Sequence, residues 1–306
     1  MSRDPSRELQ HYKDWLYAQA EPAGLGNARE PQPASSNRNR SSHQERNIGT
    51  TAPLPAPDLR HKNSRGVLYD RDRGYRVRAS EIHTLTELGR FRAVGVEDLA
   101  GHAYPGHREE MEADLRNLVR QGLVSKQTFA GPEGTPRELL TLSKAGCRLL
   151  RANRIVHKDQ ALYHGFVRPR EANHDADLYP LYQKEAARIE AQGGHPLRVA
   201  LDFELKKEIN RDLAKFGTGA RQEIAGRHGL QVVGGKMPVP DMRIEYETPD
   251  GEMARVDLEL VTEHYHGRCV ADKVRAGFSL YTPRGEADRL RRVLDRRELI
   301  AEILSL

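Results

Sequence analysis

At 306 residues, with 37% hydrophobic, 30% charged and only 6% aromatic side chains, the chain is long enough for a substantial core and for two domains. No run of about 18 apolar residues is present, which excludes a spanning helix, and the opening MSRDPSRELQ has no apolar signal core, so neither export nor a membrane partner is expected. Cys147 and Cys269 are the only cysteines, which excludes a disulfide scaffold and a Cys-rich zinc site and fits a cytoplasmic protein; the net charge of +5 permits an anionic partner such as nucleic acid.

In chain order, residues 1–70 read as a mostly disordered arm. PQPASSNRNRSSHQERNIGTTAPLPAPDLRHKNSR carries almost no large apolar residues to offset its ordering entropy. Within the arm, residues 5–19 form an expected short helix. Asp4 caps it, Pro5 opens it, and Leu9, Tyr12, Trp15 and Leu16 share one stripe. That helix either docks on a protein partner or packs on its own globular body.

Residues 71–158 read as one domain. Helices are expected at Ser80–Leu88, in GVEDLAGHAY and in HREEMEADLRNLVRQG, where Met111, Leu115, Leu118 and Val119 recur at helical spacing and Gly122 sits at a left-handed cap. Two strands, LVSKQTFA and RELLTLS, flank the turn GPEGTP, and the helix KAGCRLLRAN follows. Residues 159–306 read as a second domain. HDADLYPLYQKEAARIEAQGG is a helix with Leu178, Leu181, Tyr182, Ala186 and Ile189 inward. LRVALDFELK, VPDMRIEYE and ARVDLELVT alternate as strands, with Asp250-Gly251 at the centre of a hairpin turn. RDLAKFGTGARQEIAGRHGL is a basic helical insertion, EHYHGRCVADKVRAG a helix, GFSLYT a strand, and EADRLRRVLDRRELIAEILSL a long closing helix. The expected class is therefore α/β and α+β.

The text DLRNLVRQGLVSKQTFAGPEGTPRELLTLSKAGCRLL resembles the winged helix-turn-helix family. That resemblance implies a DNA partner, with the third helix in the major groove. Its contacts would be Arg108, Arg116 and Arg120 on that helix, Lys126 and Arg137 on the wing, and Arg73 and Arg76 on a preceding arginine-rich arm. Glu109 and Glu112 on the same helix would face phosphates. The bland alternative is that these charges only solvate the surface.

In the second domain, alternation places Asp202, Glu204, Asp241, Asp257 and Glu259 on one side of a sheet if the three strands are neighbours. Carboxylates so gathered need cations, protons or basic neighbours; the bland alternative is an ordinary solvent-facing sheet. Pro240-Asp241, then sixteen residues to Asp257, with Glu259 two further on, resembles the PD-(D/E)xK nuclease-like superfamily. The resemblance implies an α-β-β-β-α-β core and a Mg²⁺-dependent DNA endonuclease or nicking factor. Asp241 and Asp257 would be the metal-binding acids, Glu259 stands where the family has lysine, Lys273 or Lys206 would be a migrated lysine, and Glu204 or Glu185 a helper acid. RVDLELVTEHYHGRCVADKVRAGFSLY, with Lys273 and Tyr281, is similar to the replication-relaxation family of plasmids and other mobile elements, and implies a DNA-linked role in such an element.

Two functions stay open at this point: a DNA-binding protein whose acidic face cuts DNA, and a non-catalytic transcriptional or assembly adaptor built on a degenerate nuclease-like fold. His102, His107, His264 and His266 raise a first-row metal site against the commoner structural role. Neither a Gly-x-Ser-x-Gly elbow nor a Gly-rich phosphate loop is present.

Overall fold

Alternating apolar residues already organise the segment where the sequence reading placed a loose arm. In the computed structural model, which describes residues 65–131, 134–166, 171–262, 267–282, 287–295 and 303–305, β1 (Gly66–Asp70) and β2 (Arg73–Val77) pair antiparallel. Leu68, Tyr75 and Val77 point inward and are buried. Arg71, at φ 54, makes the two-residue reversal, whose favoured types need a positive φ. The boundary expected at 70/71 thus cuts a hairpin, because the charged RDR at its tip hides the two short alternating runs on either side. The helix expected at 5–19, with His264 and His266, lies outside the described residues.

Helix α1 (Ala79–Arg90) starts where Glu81 turns back to accept the Arg78 backbone N–H at 2.8 Å. The short strand β3 (Val94–Gly95), α2 (Val96–Ala103), α3 (Arg108–Arg120), β4 (Val124–Ala130), β5 (Pro136–Leu142) and α4 (Lys144–Ala152) follow. The three strands form an antiparallel sheet in the order β3-β5-β4. Met111, Leu115 and Leu118 are buried as the helical spacing requires, whereas Val119 is 42% exposed, so the stripe is narrower than expected. Gly122 takes φ 73, where a side chain would be strained. Ser143 caps α4 by accepting the Gly146 N–H at 3.0 Å while donating to the Gly122 carbonyl at 2.6 Å.

Helix α5 (Ala172–Ala191) carries Leu178, Leu181, Tyr182, Ala186 and Ile189 inward, as expected, and packs against α2 and β3. It also lies on a second, five-stranded sheet made of β6 (His195–Leu201), β7 (Met242–Glu247), β8 (Met253–Leu260), β9 (Ser279–Thr282) and β10 (Ile303–Ser305). The order is β10-β9-β8-β7-β6, with β6, β7 and β8 antiparallel and β8, β9 and β10 parallel. All described residues belong to one compact unit, residues 56–306, and the architecture is a mixed α/β one. No described helix is long and apolar enough to cross a membrane.

Two elements differ from expectation. The alternation of LRVALDFELK does not continue as strand. β6 ends at Leu201, and α6 (Asp202–Phe216) begins at once, with Glu204 and Lys206 on it. The switch is driven by packing. The Asp202 N–H is taken by the Asp241 carbonyl at 2.9 Å, Leu205 and Ile209 are buried one turn apart, and Phe203 stays 53% exposed. Ile209 joins Ile224 of α7 (Arg221–Arg227), Leu230 and Phe278 in a small core. The closing helix is shorter than expected. After α8 (Gly267–Arg275) and β9, α9 spans Ala287–Asp295, and Ile303–Ser305 is strand β10, parallel to β9. Ile303 packs there on the cluster of Val261, Val270, Leu280, Leu290 and Leu294.

Candidate functional site

The polar face of the five-stranded sheet gathers Asp241, Asp257 and Glu259 as alternation predicted, while Asp202 and Glu204 stand on α6, and basic residues lie between the acids. Along β7 and β8, Arg243 and Asp257 are register partners. Arg243 Nε and Nη2 donate to the two Asp257 oxygens at 2.6 and 2.8 Å, and Nη1 donates to the His228 carbonyl at 2.7 Å. Arg243 is 4% exposed, so this is a buried, bidentate pair. Toward β6, Arg198 pairs with Glu245 at 3.2 Å and with Glu204, whose other oxygen accepts the Tyr163 hydroxyl at 3.2 Å. Burial pushes the Glu204 carboxyl above the usual range, against Arg198. Glu185, on α5, is fully buried between Arg188 and the Tyr281 hydroxyl. Lys206 pairs with Asp202 at 2.6 Å in an exposed i,i+4 contact.

Toward the other end of the face, the start of β7 meets the end of β8. Glu259, fully buried, accepts Lys273 Nζ at 2.8 Å and the Asp241 backbone N–H at 3.3 Å. Lys273, on α8, also donates to the Val239 carbonyl at 2.6 Å. Asp241 Oδ2 accepts the Leu260 N–H at 2.9 Å and lies 3.6 Å from His174 Nε2. Burial raises the Asp241 carboxyl; His174, the Leu260 N–H and Lys273 oppose that, and Asp202 adds to it. Asp241, Glu259 and Lys273 therefore come together, with His174 beside them. The acid beside Asp241 is Glu259, whereas Asp257 belongs to Arg243. His174 escaped the sequence reading because nothing in a lone histidine on the first turn of α5 points to a strand about 70 residues on.

This donor set fits a hard divalent cation poorly. Mg²⁺ takes free carboxylate oxygens. Both Asp257 oxygens are engaged by Arg243, one Glu259 oxygen is held by a lysine and a backbone N–H, and one Asp241 oxygen accepts the Leu260 N–H. Among the described residues, no group of three or more His, Cys, Asp or Glu side chains is arranged to hold a metal ion. His102 packs its ring edge-on to Tyr179 at 5.9 Å, and burial lowers its basicity.

The basic residues expected at a DNA interface divide into three groups. Arg137 is turned inward, 3.0 Å from Asp98 of α2 and 2.7 Å from Asp177 of α5, and ties the wing-like hairpin to the long helix. Arg108 is gripped by Glu97 at 2.6 Å and reaches Glu112 at 3.3 Å, and Lys126 pairs with Glu138 at 2.7 Å. With Glu109 and Glu110 in its first turn, the N-terminal half of α3 is not positive. The third group gathers at the C-terminal end of α3. Gln121 accepts the Arg76 backbone N–H and donates to the Arg76 carbonyl, both at 2.9 Å, while its own carbonyl accepts Arg73 Nη2 at 3.1 Å. Asn117 donates to the Arg76 carbonyl and accepts Arg120 Nη2, both at 3.1 Å. Arg73, Arg76, Arg116 and Arg120 are exposed, the first two on the hairpin and the others on the helix it is bonded to.

No protein-family model and no curated protein matches the chain. Among solved structures, the crystal structure of Bacillus subtilis PadR in complex with operator DNA is similar over 50% of this chain and 94% of that chain, at 13% identity. Its TM-score of 0.23 is too low to carry an argument about either fold or function.

Proposed function

We propose that the chain is a DNA-binding protein that grips the phosphate backbone with the β1–β2 hairpin and the C-terminal end of α3. The observation that carries this reading is the hydrogen-bonded junction at Gln121 and Asn117, which brings Arg73 and Arg76 to the same end of the helix as Arg120. Phosphate contacts of this kind position a protein on DNA without reading its sequence. The order of three helices, a two-stranded wing and a further helix supports a winged-helix arrangement, and the resemblance to plasmid and mobile-element proteins supports a role there. The acidic first turn of α3 argues against the usual insertion of a recognition-helix N-terminus. Four phosphate contacts give a salt slope near −3.6, so duplex affinity should fall about 100-fold between about 50 and 200 mM salt. Fluorescence anisotropy with a labelled duplex measures it, and a slope shallower than about −1 refutes the proposal.

A second reading, a nuclease, is favoured by the meeting of Asp241, Glu259 and Lys273 at one end of the sheet. The poor fit of these groups to Mg²⁺ makes it the weaker of the two, and the rest of the acidic face reads as a self-neutralised, non-catalytic surface. Incubating supercoiled plasmid with the protein and Mg²⁺ or Mn²⁺, beside Asp241→Ala and Glu259→Gln, decides it. Nicking that both substitutions abolish establishes the enzyme, and unchanged plasmid removes it.

A further inference from the structure

The hairpin has an outer face of which the phosphate grip uses Arg76 alone. Strand pairing sets Val67 opposite Arg76 and Tyr69 opposite Gly74, so these four residues share the side of the ribbon that faces solvent. The inward side is made by Leu68, Tyr75 and Val77. Tyr69 is 50% exposed and Val67 42%, two of the six exposed large hydrophobic residues among those described. Gly74 shapes this face: a Cβ there would stand 3.2 Å from the Tyr69 ring and 3.1 Å from Val67, so the bare backbone lets both side chains close over the strand.

The surroundings of that ring are cationic. Arg71 forms the tip of the hairpin, and the exposed Arg76 lies on the same face of β2 as Gly74. Of the two acids, Asp70 is turned to the buried side and held by Arg148 at 2.8 Å, leaving Asp72 as the exposed one. An exposed aromatic ring on a β-ribbon, with arginines at the tip and on the same face, matches a nucleic-acid strand whose bases are out of a duplex: the ring stacks on a base and the guanidinium groups hold the phosphates on either side. In a closed duplex the base faces are already stacked on one another and are not available to it.

We infer that the outer face of the β1–β2 hairpin is a platform for single-stranded DNA, on which an unpaired base stacks on Tyr69 and Val67 while Arg71 at the tip holds the adjoining phosphate. The inference rests on the DNA-binding reading and deepens it. The protein would act where a duplex is opened, the α3 end holding the duplex and the hairpin face holding the released strand.

The experiment is fluorescence anisotropy of the full chain with an oligothymidylate of about 15 nucleotides and with a duplex of equal length, for wild type, Tyr69→Ala and Tyr69→Phe. Tyr69→Ala should weaken the single strand about tenfold, Tyr69→Phe should keep it within about twofold, and the duplex should bind all three alike. Unchanged single-strand affinity in Tyr69→Ala overturns the platform, as does an equal loss on duplex and single strand. An oligouridylate bound more tightly than the oligothymidylate overturns the assignment to DNA. Wild type that binds the duplex but not the single strand removes this inference alone. Wild type that binds neither removes the DNA-binding reading with it.

Discussion

Replacing Arg243 by Met tests whether Asp257 is a structural partner or a functional acid. The guanidinium is almost wholly buried and makes two bonds to Asp257 and one to the His228 carbonyl. Its removal leaves a carboxylate with little water and no counter-charge. Breaking a buried pair from one side costs about 3–5 kcal/mol, and the carbonyl bond adds about 1 kcal/mol. For a unit of this size that is a fall in Tm on the order of 10 °C. The double substitution Arg243→Met/Asp257→Leu removes both charges, so it should lie closer to wild type than Arg243→Met alone. As an internal contrast, Lys126→Met breaks the exposed Lys126–Glu138 pair and should cost at most about 1 kcal/mol. Urea and thermal unfolding followed by circular dichroism measure all three together with the single variant Asp257→Leu. Arg243→Met within about 1 kcal/mol of wild type, or a double variant as unstable as the two single costs added, would refute the reasoning and return Asp257 to the list of free acids.

Four further outcomes are expected. Substituting Arg73, Arg76, Arg116 or Arg120 singly by Ala should make the salt slope of duplex binding shallower by about 1 each, read from anisotropy at several salt concentrations. Arg137→Met should leave that slope unchanged and lower the Tm instead, because Arg137 bridges Asp98 and Asp177 inside the fold. Gly146→Ala should destabilise by about 1–3 kcal/mol in urea unfolding, since its Cβ would stand 2.6 Å from the Leu123 carbonyl oxygen and from a Leu142 methyl. Burial lowers the basicity of His83 from the ordinary 6.5, against Glu87 and together with Arg90. The unfolded chain therefore binds the proton more readily. The stability that neutral His83 confers is fully present above pH 6.5 and is lost as pH falls from there toward the folded value. His83→Leu should accordingly flatten the fall in urea midpoint between pH 7.5 and pH 5.5 relative to wild type.

The sequence by itself determined most of the elements and which face of each is apolar. Period-2 and period-3.6 patterns are consequences of local geometry and survive in one dimension: Met111, Leu115 and Leu118 on α3, Leu178 through Ile189 on α5, and the acids of β7 and β8 on one face. It also brought Lys273 and Glu259 into one candidate site. Tertiary structure alone decided which charge meets which. Arg243 stands between Asp241 and Asp257 along the face, so the acid beside Asp241 is Glu259, and Arg137, which reads as a wing contact, is spent on two aspartates of other helices. Long-range packing also overrode local pattern. LRVALDFELK alternates to its end, yet the Asp241 carbonyl and the core under Leu205 and Ile209 turn its second half into helix, and Ile303–Ser305 forms strand because β9 offers it an open edge. Pairing across tens of residues depends on distances that no local spacing encodes, whereas the alternation of side chains about one strand does not.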